Sequence, residues 1–329
     1  MESRLTSFLS FIRDPQWDMP FFKRLAHNDT GQARGHQGGL VLPKDLRRFL
    51  PTLDPKATSR IAPTVDRRLQ TEMYVGAEHV ADGDVRYQIQ TWHGTRPPES
   101  RVTDGLGPLR TKARANDILI FQRSVDSLDR FRLILVRQGT ALYSRFNRMA
   151  ANRRWGSLAE AVPPVSQDDI SQANREFDAA AEGPFQLQTA EARRKESLQA
   201  RLARNAAFRE RVRIEYGGTC AVSGISLQSP SGLCEVESAH VVPVSDRGAD
   251  DVRNGMALTR TIHWAFDRGL LGVRPDRVIY VPRLIRRLTA NSFLARFHGK
   301  RIAEAQTATL RVHPDALAWH YVNRVKRWD

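Results

Sequence analysis

The sequence predicts an α+β protein, with a mainly β amino-terminal half followed by a half that mixes helices and short strands. Residues from about 20 to 146 contain short apolar runs interrupted by Gly, Pro and Asp, as in strands joined by turns. A helical pattern of apolar residues then runs from Leu198 to Tyr216 and stops at Gly217 and Gly218. A short strand, a loop and a second helix follow within residues 236–268.

Four runs in the amino-terminal half are typical of strands. Within one of them, apolar or β-branched residues at 87, 89 and 91 alternate with glutamines, as in a strand with one buried face. The runs are Gly39–Pro43, Tyr87–Trp92, Ile118–Phe121 and Phe131–Val136. We expect them to form a β-pseudobarrel domain over residues 1–160.

Residues 161–188 are predicted to link this domain to a second domain at residues 189–329. The segment is polar and contains prolines and a glycine that interrupt regular structure, with room for a short helix over residues 168–181. The helical pattern that begins at Leu198 then leads into the second domain.

The composition indicates a globular protein with an anionic partner. The 329 residues are enough for about two domains, and 41% hydrophobic with 26% charged residues is ordinary for a soluble fold. Fifty-one Lys and Arg against 36 Asp and Glu give a net charge of +15. Such an excess favours nucleic acid, because basic side chains release counterions from phosphates. A ribosome-associated protein or a merely basic surface would share this charge.

Cysteine usage and hydropathy indicate a cytoplasmic protein without a membrane partner. The two cysteines, Cys220 and Cys234, do not suggest a disulfide framework. The first 14 residues lack the long apolar core of a signal peptide. No run approaches the roughly 18 apolar residues of a membrane span.

Three polar residues stand in the order that a phosphodiester-cleaving site needs. His240 ends an alternating strand, Asn254 follows in a loop rich in Gly and Asp, and His263 lies in the first turns of the next helix. Hydrolysis needs a base to activate water, a metal to stabilise charge on the phosphate, and neutralisation of the leaving oxygen. Histidine can be that base near neutral pH, or a metal ligand when its ring is neutral.

The helix that carries His263 has marked ends. Thr259 or Thr261 can cap its start and Gly269 can stop it, so that His263 can point back at the strand. A single His on a strand is more often a packed core residue than a catalyst. Two His and one Asn in this order, within 24 positions, favour a catalytic site.

On these residues the segment resembles the HNH endonuclease family, which has a ββα-metal fold. Similarity at residues 204–209, 216–224 and 318–321 extends the resemblance over about residues 189–329. It implies that His240 is the general base, that Asn254 fixes the loop and orients His240, and that His263 binds Mg²⁺, Mn²⁺ or another divalent ion. The central motifs are Ala-His-Val-Val-Pro at 239–243, Asn-Gly-Met-Ala-Leu at 254–258 and His-Trp-Ala-Phe-Asp-Arg-Gly-Leu at 263–270.

The second metal ligand departs from the family pattern. Many members have Asp or His directly before the general base, where this chain has Ala239. Glu237 shares a strand face with Ala239, so its carboxylate could reach a hard divalent ion, or it could instead bond the preceding helix. Asp267 is a weaker candidate, which we expect to pair with an arginine. Cys220 and Cys234 lack the partners of the structural zinc found in some relatives, so no structural zinc is expected.

The amino-terminal half resembles the effector domain of the EcoRII-type restriction endonucleases, a DNA-binding pseudobarrel similar to plant B-three domains. The resemblance covers about residues 21–146 and is carried by Phe22–Gly31 and Gly35–Pro43. It places Asn-Asp-Thr-Gly and Gly-His-Gln-Gly in the first of two arms that clasp the major groove. Trp92–Arg101 resembles the second arm.

The two arms supply the candidate DNA-binding residues. Arginine pairs with guanine and a carboxylate accepts from cytosine, which suits the second arm to base reading. The alternative for that arm is an exposed loop with an internal salt bridge. The base-reading candidates are Arg96, Glu99 and Arg101, with Arg34, His36 and Gln37 from the first arm. The phosphate-binding candidates are Lys23, Arg24 and Lys44.

Together the two resemblances imply a type II restriction endonuclease that binds and cuts a short site in double-stranded DNA. A double-strand cut needs two nuclease sites, which favours a homodimer, and the resemblance implies a companion DNA methyltransferase. Two alternatives stay open. A restriction enzyme that requires methylated DNA would hold a pocket for a flipped base. A DNA-binding regulator with an inactive nuclease fold would account for Ala239.

Overall fold

The protein is a mixed α+β chain whose elements fall into two compact units. One unit holds the described residues up to Asp168, and the other holds those from Asp169 onward. No helix in these residues is long and apolar enough to cross a membrane. The structure is a computed structural model that describes residues 11–14, 16–32, 39–59, 61–91, 97–125, 127–158, 164–188, 197–228 and 234–329.

The first unit is built on one eight-stranded sheet that curls into a half barrel. Its strand order is β2-β5-β4-β3-β7-β6-β1-β8. Neighbours are antiparallel except β3 and β7, which are parallel. The strands are β1 (Phe21–Arg24), β2 (Leu40–Leu42), β3 (Thr64–Val75), β4 (Glu78–Gln90), β5 (Glu99–Val102), β6 (Ile118–Arg123), β7 (Arg130–Val136) and β8 (Trp155–Ser157). The four runs predicted as strands lie in β2, β4, β6 and β7, which confirms those predictions.

β6 and β7 are buried along their whole length because each of their faces packs into a different core. Phe121 and Leu133 join one cluster together with Phe21, and Ile120 and Ile134 join the other. Burial on both faces explains why these two strands are continuous apolar runs in the sequence, whereas β4 alternates.

Helices α1 (Gly107–Arg110) and α2 (Ala141–Met149) accompany the sheet. The hydroxyl of Thr140 accepts a hydrogen bond from the backbone N of Tyr143 at 3.1 Å and so caps the start of α2. Phe146 of α2 packs into the cluster of Ile120 and Ile134, on the sheet face opposite the cluster of Phe121 and Leu133. The sheet is therefore covered on both faces where β6 and β7 run.

The elements from α3 onward form a smaller mixed arrangement. β9 and β10 pair antiparallel, and so do β11 and β12. Short 3-10 turns at Val244–Asp246 and Val252–Asn254 lie between β9 and β10. The elements are α3 (Gln167–Glu182), α4 (Leu198–Glu215), β9 (Val236–His240), β10 (Gly255–Thr259), α5 (Arg260–Asp267), β11 (Gly272–Val273), β12 (Ile279–Tyr280), α6 (Arg283–Arg286), α7 (Ser292–Ala295) and α8 (Pro314–His320).

The segment predicted as a linker contains α3, which closely matches the short helix predicted there. Glu176 and Asp178 of this helix form ion pairs with Arg204 and Arg211 of α4, at 2.9 and 3.0 Å. Arg253, next to Asn254 in sequence, donates hydrogen bonds of 2.8 and 3.0 Å to backbone carbonyls at the carboxyl end of α3. This helix is thus packed on the second unit, while the predicted domain limits stay a prediction.

α4 confirms the helix predicted before the strand–loop–helix segment. Ser197 caps its start through a 3.2 Å hydrogen bond from Ala200 N. Gly217 and Gly218 have φ angles of 58° and 64°, the left-handed conformation that ends a helix. The buried residues Ala203, Ala207, Phe208 and Val212 follow helical spacing and turn toward β9 and β10.

α8 ends on a buried histidine that packs against α5. The ring of His320 lies flat on Phe266, with 3.6 Å between the ring centroids, and its Nε2 donates to the Phe266 carbonyl at 3.0 Å. Burial lowers the pKa of His320 to about 3, although the hydrogen bond to Phe266 opposes this. His320 is therefore neutral in the folded protein near pH 7.

We expect the folded state to lose stability as the pH falls below about 6.5, the pKa of an unfolded histidine. Between that pH and about 3, the unfolded chain binds a proton at His320 that the folded chain excludes. The loss from pH 7 to pH 4 should be about 3 kcal/mol from this residue. Urea unfolding of the wild type and His320→Phe at both pH values measures it. Equal pH dependence in the two proteins would show that His320 has no such effect.

Candidate active site

His240 stands at the end of β9 and packs against α4. It lies opposite Gly255 in the antiparallel pair of β9 and β10. Its ring stacks on Phe208, with centroids 3.9 Å apart and 14° between the planes. A Cβ at position 255 would lie 2.9 Å from Phe208 Cζ, so glycine there allows Phe208 to approach His240. The strand predicted to run to Val242 ends at His240.

A carboxylate orients the ring of His240. Its Nε2 lies 3.1 Å from Oδ1 of Asp250, and 14% of the His240 side chain is exposed. A carboxylate can only accept, so Nε2 carries the proton in this pair and Nδ1 is the basic nitrogen. His240 is thus an imidazole that is oriented by Asp250 and partly exposed, both of which suit a general base.

Asn254 holds the backbone that follows His240. Its Oδ1 accepts from Val242 N at 2.9 Å, and its Nδ2 donates to the carbonyls of Val242 and Ala249 at 3.0 and 2.9 Å. The backbone carbonyl of Asn254 also accepts from Val241 N at 2.8 Å. Asn254 is completely buried. These bonds join both ends of the loop between β9 and β10 and fix the position where His240 leaves the strand.

Glu237 of β9 reaches forward to α5. Its Oε2 lies 2.9 Å from Nδ1 of His263, and its Oε1 lies 3.0 Å from Nε of Arg260. It does not bond the preceding helix, which was the alternative in the sequence; Ser238 does so, through the carbonyl of Arg209 at 2.8 Å. The structure therefore brings the two predicted metal-ligand candidates, Glu237 and His263, into direct contact.

Asp267 also lies beside His263. Its Oδ2 is 3.6 Å from Nε2 of His263, whereas the sequence suggested an arginine partner. The spacing of four residues places both side chains on one face of α5. His263 is thus flanked by a carboxylate at each ring nitrogen.

The two carboxylates determine the charge of this group. Burial alone lowers the pKa of His263, but the hydrogen bond to Glu237 and the negative charges of Asp267 and Glu237 outweigh it and raise the pKa. The hydrogen bond from His263 lowers the pKa of Glu237, with burial opposing and Arg260 assisting. When His263 is protonated, it forms an ion pair with Glu237.

The chemistry of these side chains fits a divalent ion, although they do not yet converge on one point. Two carboxylates and an imidazole are ligands that divalent ions accept. Within the described ranges, no three His, Cys, Asp or Glu side chains are placed so that they could hold a metal together. Glu237 and Asp267 lie at opposite ring nitrogens of His263 and are 40% and 50% exposed, so their carboxylates have space to rotate. Ala239 is buried and supplies no ligand.

The residues of the site form two groups, each of which contains one residue of β9. His240 with Asp250 and Asn254 is the first group, and Glu237 with His263 is the second. Positions 237 and 240 fall on opposite faces of the strand, one toward α5 and the other toward Phe208 of α4. In the described part of the chain, no hydrogen bond or ion pair joins the two groups.

Two predicted phosphate-binding residues of the first unit are engaged inside the fold. Lys23 is buried and forms an ion pair with Asp29, and burial lowers its pKa despite this partner. A buried ammonium bound to a carboxylate cannot reach a phosphate, so this assignment is corrected. Arg24 donates to Tyr143 and Asn147 at 2.9 and 2.8 Å and is partly buried. Lys44 is exposed.

Of the predicted base-reading residues, Glu99 and Arg101 are described. They lie two positions apart on β5, and Nε of Arg101 donates to Oε1 of Glu99 at 2.7 Å. Both are partly exposed. This pair is the internal salt bridge that the sequence left open as the alternative. Four further candidates lie outside the described residues, namely Arg34, His36, Gln37 and Arg96.

Comparison with known protein families identifies part of the second unit. Residues 220–274, which include β9, β10 and α5, match the HNH endonuclease family. These residues are an HNH endonuclease domain. The protein is therefore an endonuclease, a hydrolase that cleaves DNA.

Two solved structures show low structural similarity to this chain. The first is a modification dependent TagI restriction endonuclease, with 12% identity, a TM-score of 0.31, and coverage of 91% of this chain and 80% of that one. The second is the N-terminal domain of Helicobacter pylori LlaJI.R1, with 12% identity, a TM-score of 0.26, and coverage of 41% and 94%. No curated protein shows significant similarity to the chain.

Three residues of the HNH domain site were not predicted from the sequence. Asp250 and Phe208 contact His240, and Arg260 contacts Glu237. The Gly- and Asp-rich loop marks Asp250 as one of several acids but does not distinguish it. Phe208 lies on the buried face of α4, where an aromatic residue ordinarily fills a core. Only the pairing of β9 with β10 and α4 shows which side chains meet.

Proposed function

We propose that this protein is a type II restriction endonuclease that cuts double-stranded DNA at a specific sequence with the help of a divalent metal ion. Residues 189–329 form the cutting domain, in which β9, β10 and α5 are the ββα-metal unit. Residues 1–160 form the DNA-recognition domain, a pseudobarrel. The observation that carries the proposal is the presence, on one strand of the HNH domain, of His240 held by Asp250 and Glu237 in contact with His263.

His240 acts as the general base. Its Nδ1 takes a proton from a water molecule, whose oxygen forms a new bond to phosphorus while the bond to the leaving sugar oxygen breaks, and the leaving oxygen takes up a proton from solvent. Asp250 keeps the ring oriented and stabilises the imidazolium that forms, because its carboxylate accepts from Nε2. Asn254 keeps His240 in place through the backbone of Val241 and Val242.

Glu237 and His263 would hold the metal ion, Mg²⁺ or Mn²⁺, with Asp267 in reach of His263. Such an ion supplies positive charge that stabilises the phosphate as it gains a fifth bond. To bind it, His263 must give up the proton that Glu237 and Asp267 favour. Metal affinity should therefore rise with pH until His263 is neutral.

We expect Glu237→Gln to weaken Mn²⁺ binding at least about tenfold, because it removes an anionic ligand beside His263. Isothermal titration of the full-length protein with Mn²⁺ measures this. Glu235→Gln is the matched control, since Glu235 lies two residues earlier and accepts from Arg260 N rather than from His263. Equal Mn²⁺ affinity in the wild type and Glu237→Gln would remove Glu237 from the metal site.

Recognition would come from the two arms of the amino-terminal domain. Arg96, Glu99 and Arg101 read bases from one arm, and Arg34, His36 and Gln37 do so from the other. Arg24 and Lys44 contact phosphates. Glu99 and Arg101 lie on one face of β5 and are paired with each other, so DNA would have to replace this ion pair before either side chain could contact a base.

A homodimer would supply the two nuclease sites that a double-strand cut needs, and a companion methyltransferase would protect host DNA. Digestion of methylated and unmethylated plasmid tests whether methylation protects DNA from this enzyme. Cutting of unmethylated DNA is expected. Cutting of methylated DNA alone would instead assign a modification-dependent enzyme, and no cutting of either would favour a DNA-binding regulator.

A further inference from the structure

A stretch just beyond the matched family segment carries positive charge only. Residues 277–303 contain seven Lys or Arg and no Asp or Glu. At the chain's overall frequency of 36 acidic residues in 329, a stretch of this length would carry about three. The absence of acids is therefore a property of this segment and not of the basic composition alone.

Six of these cations are exposed and have no carboxylate partner in the described part of the chain. Arg277 is the exception, since it forms an ion pair with Glu304 at 2.8 Å. Across the described ranges, none of the other six lies within ion-pair distance of a carboxylate. We call these six residues the basic surface: Arg283, Arg286, Arg287, Arg296, Lys300 and Arg301.

Three residues of the basic surface share one side of a helical turn. Arg283, Arg286 and Arg287 are spaced by three and four positions, which places them together on α6 and its last turn. Ile285 points the other way and is buried. The fold thus fixes the turn by its apolar side and presents the three guanidinium groups to solvent.

Contacts around Val281 bring the segment that carries Arg296 and Lys300 near this turn, and Arg301 follows Lys300 in the chain. Nε of Arg286 donates to the Val281 carbonyl at 3.0 Å, and Val281 N donates to Nδ1 of His298 at 3.1 Å. Arg286 and His298 are therefore neighbours. Arg296 and Lys300, two positions to either side of His298, both lie over the ring of Phe297, at 5.5 and 6.0 Å.

The pKa of His298 agrees with the position of Arg286 beside it. Burial lowers the pKa of His298, and the positive charges of Arg286 and Arg274 lower it further. An imidazole beside an uncompensated cluster of cations resists protonation. Arg286, one member of the basic surface, thus adds to the positive potential at His298.

We propose that the basic surface binds the backbone phosphates of the DNA duplex. This inference rests on the proposed function as a DNA endonuclease. Six like charges with no carboxylate partner among the described residues repel one another in the free protein, and a polyanion relieves this repulsion. Guanidinium groups bind phosphate oxygens in pairs of hydrogen bonds. Contacts of this kind position the duplex and carry no sequence information.

The test compares two triple variants of the full-length protein with the same change in charge. One is Arg283→Gln, Arg287→Gln and Arg301→Gln. The control is Arg211→Gln, Arg274→Gln and Arg311→Gln, whose arginines lie in the same unit but are each paired with a carboxylate. Both are made with His240→Ala to prevent cleavage, and binding to a duplex of about 40 base pairs is measured over a range of salt concentrations.

Loss of three phosphate contacts should lower the slope of log affinity against log salt by about 2 to 3, since each contact contributes about 0.9. The control should keep the slope of its parent. With an active His240, the first triple variant should cut at the same positions as the wild type. An unchanged slope, or new cut positions, would overturn the proposal. A wild type that binds DNA but does not cut it would contradict the nuclease function and leave this measurement intact.

Discussion

His240→Ala is expected to lower the rate of DNA cleavage by at least about 100-fold, and by as much as about 10,000-fold. The substitution removes the basic nitrogen that accepts the proton of the attacking water, while Asp250 and the metal ligands remain. Single-turnover cleavage of plasmid with Mg²⁺ or Mn²⁺ measures the rate. Because the ring of His240 is partly exposed and stacks on Phe208, circular dichroism and thermal unfolding should show a folded protein.

Two further variants identify the origin of that loss. Asp250→Asn keeps a side chain of the same size near Nε2 of His240 but removes the negative charge, so it should reduce the rate less than His240→Ala does. His79→Ala removes an exposed histidine of the first unit and should cut at the wild-type rate. Cleavage that survives in His240→Ala at the wild-type rate would show that another group activates water.

Asn254→Ala is expected to reduce both stability and activity. It leaves three buried backbone groups, the N and O of Val242 and the O of Ala249, without their partner. The free energy of unfolding should fall by about 2 to 4 kcal/mol. Cleavage measured well below the melting temperature should fall by about 100-fold, since misplacing a catalytic group by about 1 Å has an effect of this size.

Asn323→Ala is the matched control for Asn254→Ala. Asn323 lies in the same unit, is exposed and donates a hydrogen bond to the Trp319 carbonyl. Its replacement should leave both the unfolding free energy and the cleavage rate near those of the wild type. If Asn254→Ala were as stable and as active as Asn323→Ala, the loop would not depend on Asn254.

Local sequence patterns predicted the strands that are buried on both faces and the helix that is buried on one face. The runs at Ile118–Phe121 and Phe131–Val136 are apolar throughout because β6 and β7 are buried on both faces. α4 follows from its apolar spacing and the two glycines that stop it. Period and turn chemistry are properties of neighbouring residues, so they are visible without the fold.

Contacts between distant residues could not be predicted in the same way. Glu237 was a candidate because it shares a strand face with Ala239, but its contact with His263 depends on where α5 lies against β9. Lys23 resembled a surface cation in the sequence, and its burial with Asp29 appears only once β1 is packed into the sheet. Asp250 and Phe208 reach His240 from 10 and 32 positions away. Long-range packing decides such contacts.

Digestion of plasmid DNA by the purified wild-type protein, followed by sequencing of the fragment ends, tests the central claim most directly. The account predicts that Mg²⁺ or Mn²⁺ is required, that chelation of the metal stops the reaction, and that the ends fall at one short sequence with a constant stagger. A plasmid left intact with both ions, or ends distributed without any common sequence, would contradict the assignment of a sequence-specific HNH endonuclease.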